Sequence, residues 1–118
     1  MTGVTVFDID GVLNPTPARG DLGFRADPDK IARLLRLPGP YVCLSFWRAW
    51  PDKIELPFEY TLAPNGNKRD CVPTNAVVVI DDQPSYFDGV DVPLYVTNGY
   101  VGLTDEDVEN ILAFIAAT

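Results

Sequence analysis

The chain has 118 residues, 47% of them hydrophobic and 22% charged, with a net charge of −8 and no histidine. A chain this long buries roughly 65% of its unfolded surface around one core, so a single domain over residues 1–118 is expected and two are excluded by size. The acidic balance excludes extended binding to duplex nucleic acid, which rests on Lys and Arg neutralising phosphates.

In chain order, Val4 to Phe7 (VTVF) is β-branched and aromatic and ends at an Asp-rich turn, which predicts a buried first strand. Residues 11 to 26 hold Gly11, Pro15, Pro17, Gly20 and Gly23, predicting a long irregular loop or small flap. Asp27 as N-cap and Pro28 at the first helical position open a helix whose Ile31, Leu34 and Leu35 share a face, and Pro38 to Pro40 stops it. A second strand is expected from Tyr41 to Ser45, then a short helix near Pro51 to Leu56 and a third strand over Phe58 to Leu62. The uninterrupted apolar run Ala76 to Ile80 predicts a central parallel strand covered on both faces. Val92 to Thr97 (VPLYVT) is the fifth strand. Thr104 with Asp107 forms a capping box for the last helix, Leu103 with Val108 a hydrophobic staple, and Val108, Ile111, Leu112 and Ile115 its buried face.

Strands alternating with helices predict an α/β fold with a mostly parallel, five-stranded sheet, in which ligands bind at the carboxyl ends of strands. Asp8, Ser45 and Asp81 stand at such ends. No apolar stretch reaches the ~20 residues that span a bilayer, and no secretion signal opens the chain, so a cytoplasmic protein without a membrane partner is expected. Cys43 and Cys71 are too few and too far apart for a disulfide framework or a zinc site; Cys43, inside a strand, reads as a small buried hydrophobe. Hard, oxygen-liganded cations remain open. Arg19, Arg25, Arg48, Lys53, Lys68 and Arg69 lie in or beside expected loops, which leaves room for a local basic rim.

The sheet brings Asp8, Asp10, Ser45, Asp81 and Asp82 to one edge, with Lys68 from the loop before the fourth strand. Clustered carboxylates repel unless a cation neutralises them. Mg²⁺ suits the set, since it uses one or two carboxylates, keeps several waters and accepts a phosphate oxygen. With a phosphate ester bound, Asp8 attacks phosphorus as a carboxylate nucleophile and Asp10 protonates the leaving oxygen, later activating water against the aspartyl-phosphate. Gly11 lets the backbone turn sharply towards the phosphate. Ser45 and Lys68 neutralise phosphoryl oxygens as charge develops.

This set resembles the haloacid dehalogenase-like (HAD) phosphohydrolase superfamily, whose four motifs match, in order, "VFDIDGVLN", "VCLS", Lys68 and "VVVIDD". The resemblance covers most of the chain and implies a three-layer Rossmann-like fold. It implies that Asp8 is the nucleophile, Asp10 the general acid/base, and Ser45 and Lys68 the phosphate binders. The Mg²⁺ site it implies is Asp8, the Asp10 carbonyl and the Asp81/Asp82 pair, with the direct ligand of that pair left open. The aspartate at position 10 speaks against the dehalogenase branch. "DIDGVLNP", "SFW", "NKRD", "VIDDQP" and "VGLTDEDVENILAFI" look most like small HAD domains of bacterial and phage proteins associated with RNA end repair, and "DDQP" is similar to the "DDxP" of phosphatases acting on phosphoprotein tails. The chain has no insertion long enough for a cap domain, which implies a substrate that supplies its own cover, such as a polynucleotide end or another macromolecular phosphosite.

Each residue also has a structural reading. Asp8 and Asp10 could be solvated turn carboxylates, Asp81 or Asp82 a helix cap, Ser45 a structural hydroxyl, and Lys68 or Arg69 a loop cation. Trp47 and Trp50 fit loop packing better than a base-stacking platform. A catalytically silent binding module of the same fold is the alternative function. A signalling receiver domain fits poorly because its acidic pair comes early and here the adjacent pair comes late. Neither a P-loop nor a dinucleotide fingerprint is present.

Overall fold

The structure, a computed structural model, describes residues 3–14 and 27–117. Strands form over Val4–Phe7 (β1), Tyr41–Cys43 (β2), Thr61–Leu62 (β3), Ala76–Asp81 (β4) and Leu94–Val96 (β5), and helices over Pro28–Leu34 (α1) and Asp105–Ala116 (α2). All five strands join one parallel sheet in the order β3-β2-β1-β4-β5. The α/β Rossmann-like fold expected from the alternation of elements is therefore present, and no cap domain is evident among the described residues.

β1 and β4 sit at the centre because their side chains are apolar on both faces. Phe7, Val78 and Ile80 pack with Leu34 of α1 and Val108 and Ile111 of α2, whereas Val4, Val6 and Val79 pack on the other side with Val42, Ala63 and Phe87. The β1–β4 register slips once, Val4 facing Ala76 and Thr5 facing Val78. That slip absorbs Val77, which joins Val78 on the helix side. Both described α-helices thus cover one face. The opposite layer is built from loops and short 3₁₀ turns, including Pro84–Phe87, which buries Phe87.

The helix signals act as expected. Asp27 accepts from the Asp29 amide at 2.9 Å with Pro28 opening α1, and Thr104 and Asp107 form a reciprocal capping box at α2. Leu103 and Val108 are fully buried in one cluster, as the staple requires. Arg33 of α1 and Arg36 just beyond it pair with Asp105 and Glu109 of α2 at the surface.

Several expected boundaries change. β2 ends at Cys43, because Ser45 turns to cap a 3₁₀ turn, Phe46–Ala49, by accepting the Trp47 amide. The short helix expected near Pro51 to Leu56 is a second 3₁₀ turn, Pro51–Lys53. β3 keeps only two of the five residues expected from Phe58 to Leu62; it is an exposed edge with one neighbour to hold it. β5 is confined to Leu94–Val96, and β4 runs one residue further than expected, to Asp81. Beyond Asn14 the loop or flap expected over 11–26 lies outside the described residues, as do Arg19 and Arg25. Among the described residues no helix is long and apolar enough to cross a membrane.

Candidate functional site

The parallel pairing of β1 with β4 decides the site. Phe7 faces Ile80, and the Asp8 amide donates to the Ile80 carbonyl at 2.9 Å, so Asp8 and Asp81 emerge side by side at the carboxyl edge. Beyond Asp8 the chain reverses tightly: Val12, Leu13 and Asn14 amides all donate to the Ile9 carbonyl. Gly11 sits in that turn at φ +83°, and a Cβ there would lie 2.3 Å from Asp82 Cγ. Only glycine both adopts the angle and leaves room for the Asp82 carboxylate. Thr97, after β5, donates its hydroxyl to the Gly11 carbonyl at 2.7 Å and ties the turn to the sheet.

Asp8, Asp81 and Asp82 each place a carboxylate oxygen within 4.8 Å of the others. Asp8 and Asp81 are buried, and both meet the Lys68 ammonium, at 3.0 Å and 2.7 Å. The second Asp8 oxygen accepts the Ile9 amide at 2.7 Å, and that of Asp81 accepts the Gln83 amide at 3.0 Å. Burial and then the neighbouring Asp81 charge push Asp8 up to about 8, against the opposing pull of Lys68. Burial likewise raises Asp81 above the usual carboxylate range. For Lys68, burial acts downwards, but Asp8 and Asp81 outweigh it and hold the ammonium above its ordinary value.

Lys68 opens a 3₁₀ turn, Lys68–Asp70, and its side chain points inward, whereas Arg69 lies at the surface with a guanidinium N–H 3.4 Å from the Asp88 carbonyl. Of the two adjacent cations, Lys68 is the one at the carboxylates. Ser45 Oγ accepts the Trp47 amide at 3.1 Å, which leaves its own proton to donate. Asp10 accepts the Trp47 indole N–H at 3.1 Å on one oxygen; its other oxygen is buried and has no hydrogen-bond partner among the described residues. The Asp10 carboxylate stands outside the three-carboxylate group. Asp8, Asp10, Ser45, Lys68 and Asp82 line one cleft of about 280 Å³, joined by Phe46, Gln83 and Tyr86.

Of the four described candidates for a basic rim, Lys53 and Arg69 are exposed, whereas Arg48 and Lys68 are buried. Arg48 is buried, its guanidinium donating to the carbonyls of Ser45, Pro64 and Gly66 at 2.6–2.8 Å, so it braces the loops. Cys43 is a buried hydrophobe, its thiol pushed up to about 12 by burial. The residues missed in sequence are Trp47 as the partner of Asp10, and Phe46 and Tyr86 as cleft walls. Their only signal was aromatic character beside the "VCLS" and "VIDD" stretches, and strand ends alone do not say which way a 3₁₀ turn aims its side chains.

Fold and cleft together define an α/β Rossmann-like protein with a carboxylate-rich site, bridged by one lysine, at the carboxyl edge of its sheet. Comparison of the chain with protein-family models, curated proteins and solved structures finds no match in any of the three.

Proposed function

We propose that this chain is a Mg²⁺-dependent phosphohydrolase of the HAD kind, hydrolysing a phosphate monoester through an aspartyl-phosphate on Asp8. The observation that carries the reading is the confined group Asp8, Asp81, Asp82 and Lys68, of which Asp8, Asp82 and Lys68 line a cleft that also presents Asp10 and Ser45, with Asp81 buried behind Lys68. Three carboxylates against one ammonium leave two negative charges, which one divalent cation balances. The donors are all hard oxygens, the type that Mg²⁺ prefers. Asp8, Asp81 and Asp82 would hold the ion, with the Asp10 carbonyl that the family resemblance adds. When bound, it supplies positive charge that keeps Asp8 ionised and offsets charge on the phosphoryl oxygens.

The chain's own residues supply the rest. An ammonium has three N–H bonds; Lys68 gives two to Asp8 and Asp81, and the third remains for a phosphoryl oxygen, as does the Ser45 hydroxyl proton. An Asp8 oxygen attacks phosphorus, and the ester oxygen leaves with a proton from Asp10. The Asp10 carboxylate then takes a proton from the water that attacks phosphorus, so phosphate departs and Asp8 is restored. The indole N–H of Trp47 holds one oxygen of Asp10 and so fixes the carboxyl in the cleft. A polynucleotide end or another macromolecular phosphosite is the proposed substrate, a reading supported by the lack of a cap domain among the described residues.

Purified protein with Mg²⁺ should release phosphate from p-nitrophenyl phosphate or phosphate-ended oligonucleotides, and Asp8→Asn should reduce release to background. Equal turnover by the variant defeats the mechanism. Binding of Mg²⁺ with no turnover on a broad phosphoester panel would instead identify a silent binding module.

A further inference from the structure

Two aromatic rings at the mouth of the cleft are placed for a purpose that phosphate chemistry alone does not use. Phe46 follows Ser45 directly and Tyr86 belongs to the 3₁₀ turn after β4, so each is carried by a segment that also carries a site residue. The rings meet edge to face, 5.1 Å between centroids and 85° between planes. Buried Lys68 sits 4.8 Å from each centroid, which fixes both rings by cation–π attraction. Yet Phe46 stays 50% exposed and Tyr86 38%. A pair kept only to shield Lys68 would gain by burying its outer surface as well. Instead the pair faces solvent at a shared boundary: beyond it lies a second cleft of about 290 Å³, lined by Phe46, Lys68 and Tyr86 together with Asn67, Arg69 and Ser85.

We infer that Phe46 and Tyr86 form a stacking subsite that takes a planar aromatic group carried by the substrate next to its phosphate. This rests on the phosphohydrolase reading, and deepens it to a substrate class: aromatic phosphate monoesters over aliphatic ones. The phosphate lies over Lys68 and Ser45, the ring packs on the outer faces of the pair, and Asn67, Arg69 and Ser85 offer donors to polar groups beyond. Offset or edge-to-face contact between rings is favourable beyond the area buried, so an aromatic substituent gains affinity that a saturated ring of similar size does not. A nucleoside base and a simple aryl group share this chemistry.

The test is calorimetric affinity for Asp8→Asn protein in Mg²⁺, using two matched pairs: adenosine 5′-monophosphate against ribose 5-phosphate, and phenyl phosphate against cyclohexyl phosphate. The aromatic member of at least one pair should bind about fivefold more tightly or better. Preference confined to the first pair identifies a nucleoside phosphate, and preference confined to the second an aryl ester. Replacing Phe46 and Tyr86 together by leucine should bring the ratio to within about twofold. The single variants Phe46→Leu and Tyr86→Leu serve if circular dichroism shows the double variant unfolded. Ratios near one in both pairs, or a ratio that survives the leucine substitutions, overturn the subsite. Wild-type turnover of p-nitrophenyl phosphate is read separately: its absence defeats the phosphohydrolase reading while a retained aromatic preference in binding still supports the subsite. Absence of binding by all four esters overturns the subsite.

Discussion

In the proposed reaction Asp8 must be ionised to attack phosphorus, and its surroundings oppose ionisation. Its carboxyl is raised from the ordinary 3.8 to about 8, by burial first and Asp81 second. In the folded protein without a cation the proton is therefore held more tightly than in the unfolded chain. Between about pH 4 and pH 8 the native state binds more protons, so stability falls as pH rises across that window. Urea unfolding of chelator-treated protein should give a lower midpoint at pH 8 than at pH 5, and Asp8→Asn should flatten the difference. Trp47 gives a second test at this scale. Trp47→Phe keeps an aromatic ring, though a smaller one, but loses the N–H that holds Asp10, so kcat/KM on an alkyl phosphate should fall about tenfold to a hundredfold. The loss on p-nitrophenyl phosphate should be much smaller, since its leaving group needs little help from an acid. A purely structural effect would lower both alike.

Among the elements, the turn after β1 and the 3₁₀ turns matter more than the helices. Gly11 packs against Asp82 so closely that Gly11→Ala must displace one of them and force alanine into the left-handed region. The substitution should lower stability by about 1–3 kcal/mol and remove the response of the melting temperature to Mg²⁺, both measurable by calorimetry. The helix limits were legible in sequence because they depend on local chemistry: Asp27 with Pro28, and Thr104 with Asp107, satisfy amides only two or three residues away. Strand lengths were less legible. A strand persists only where a neighbour offers hydrogen bonds, and β3 has β2 alone. The turn at Phe46–Ala49 hid inside an apolar stretch that reads equally well as extended chain, and with it went the roles of Phe46 and Trp47.

For the whole molecule, the order β3-β2-β1-β4-β5 makes β1 and β4 neighbours although about 70 residues separate them along the chain. That adjacency gathers the carboxylates, and the net charge of −8 opposes the binding of extended polyanions. If the cluster takes up Mg²⁺ only when folded, the ion should raise stability by about 2.7 kcal/mol at a hundredfold excess over its dissociation constant. Thermal unfolding with Mg²⁺ and then with chelator checks this, and Asp81→Asn should abolish the gain.

The sequence by itself determined the parallel α/β class, the helix caps, and the acidic residues at the carboxyl ends of β1 and β4. These follow from hydrophobic periodicity and from side chains acting on their own local backbone. Only the tertiary structure decided that Lys68 rather than Arg69 lies between Asp8 and Asp81, that Trp47 holds Asp10, and that Arg48 is consumed by three carbonyls. Each of those depends on which way a turn aims a side chain after distant strands have paired, and no local pattern encodes that direction.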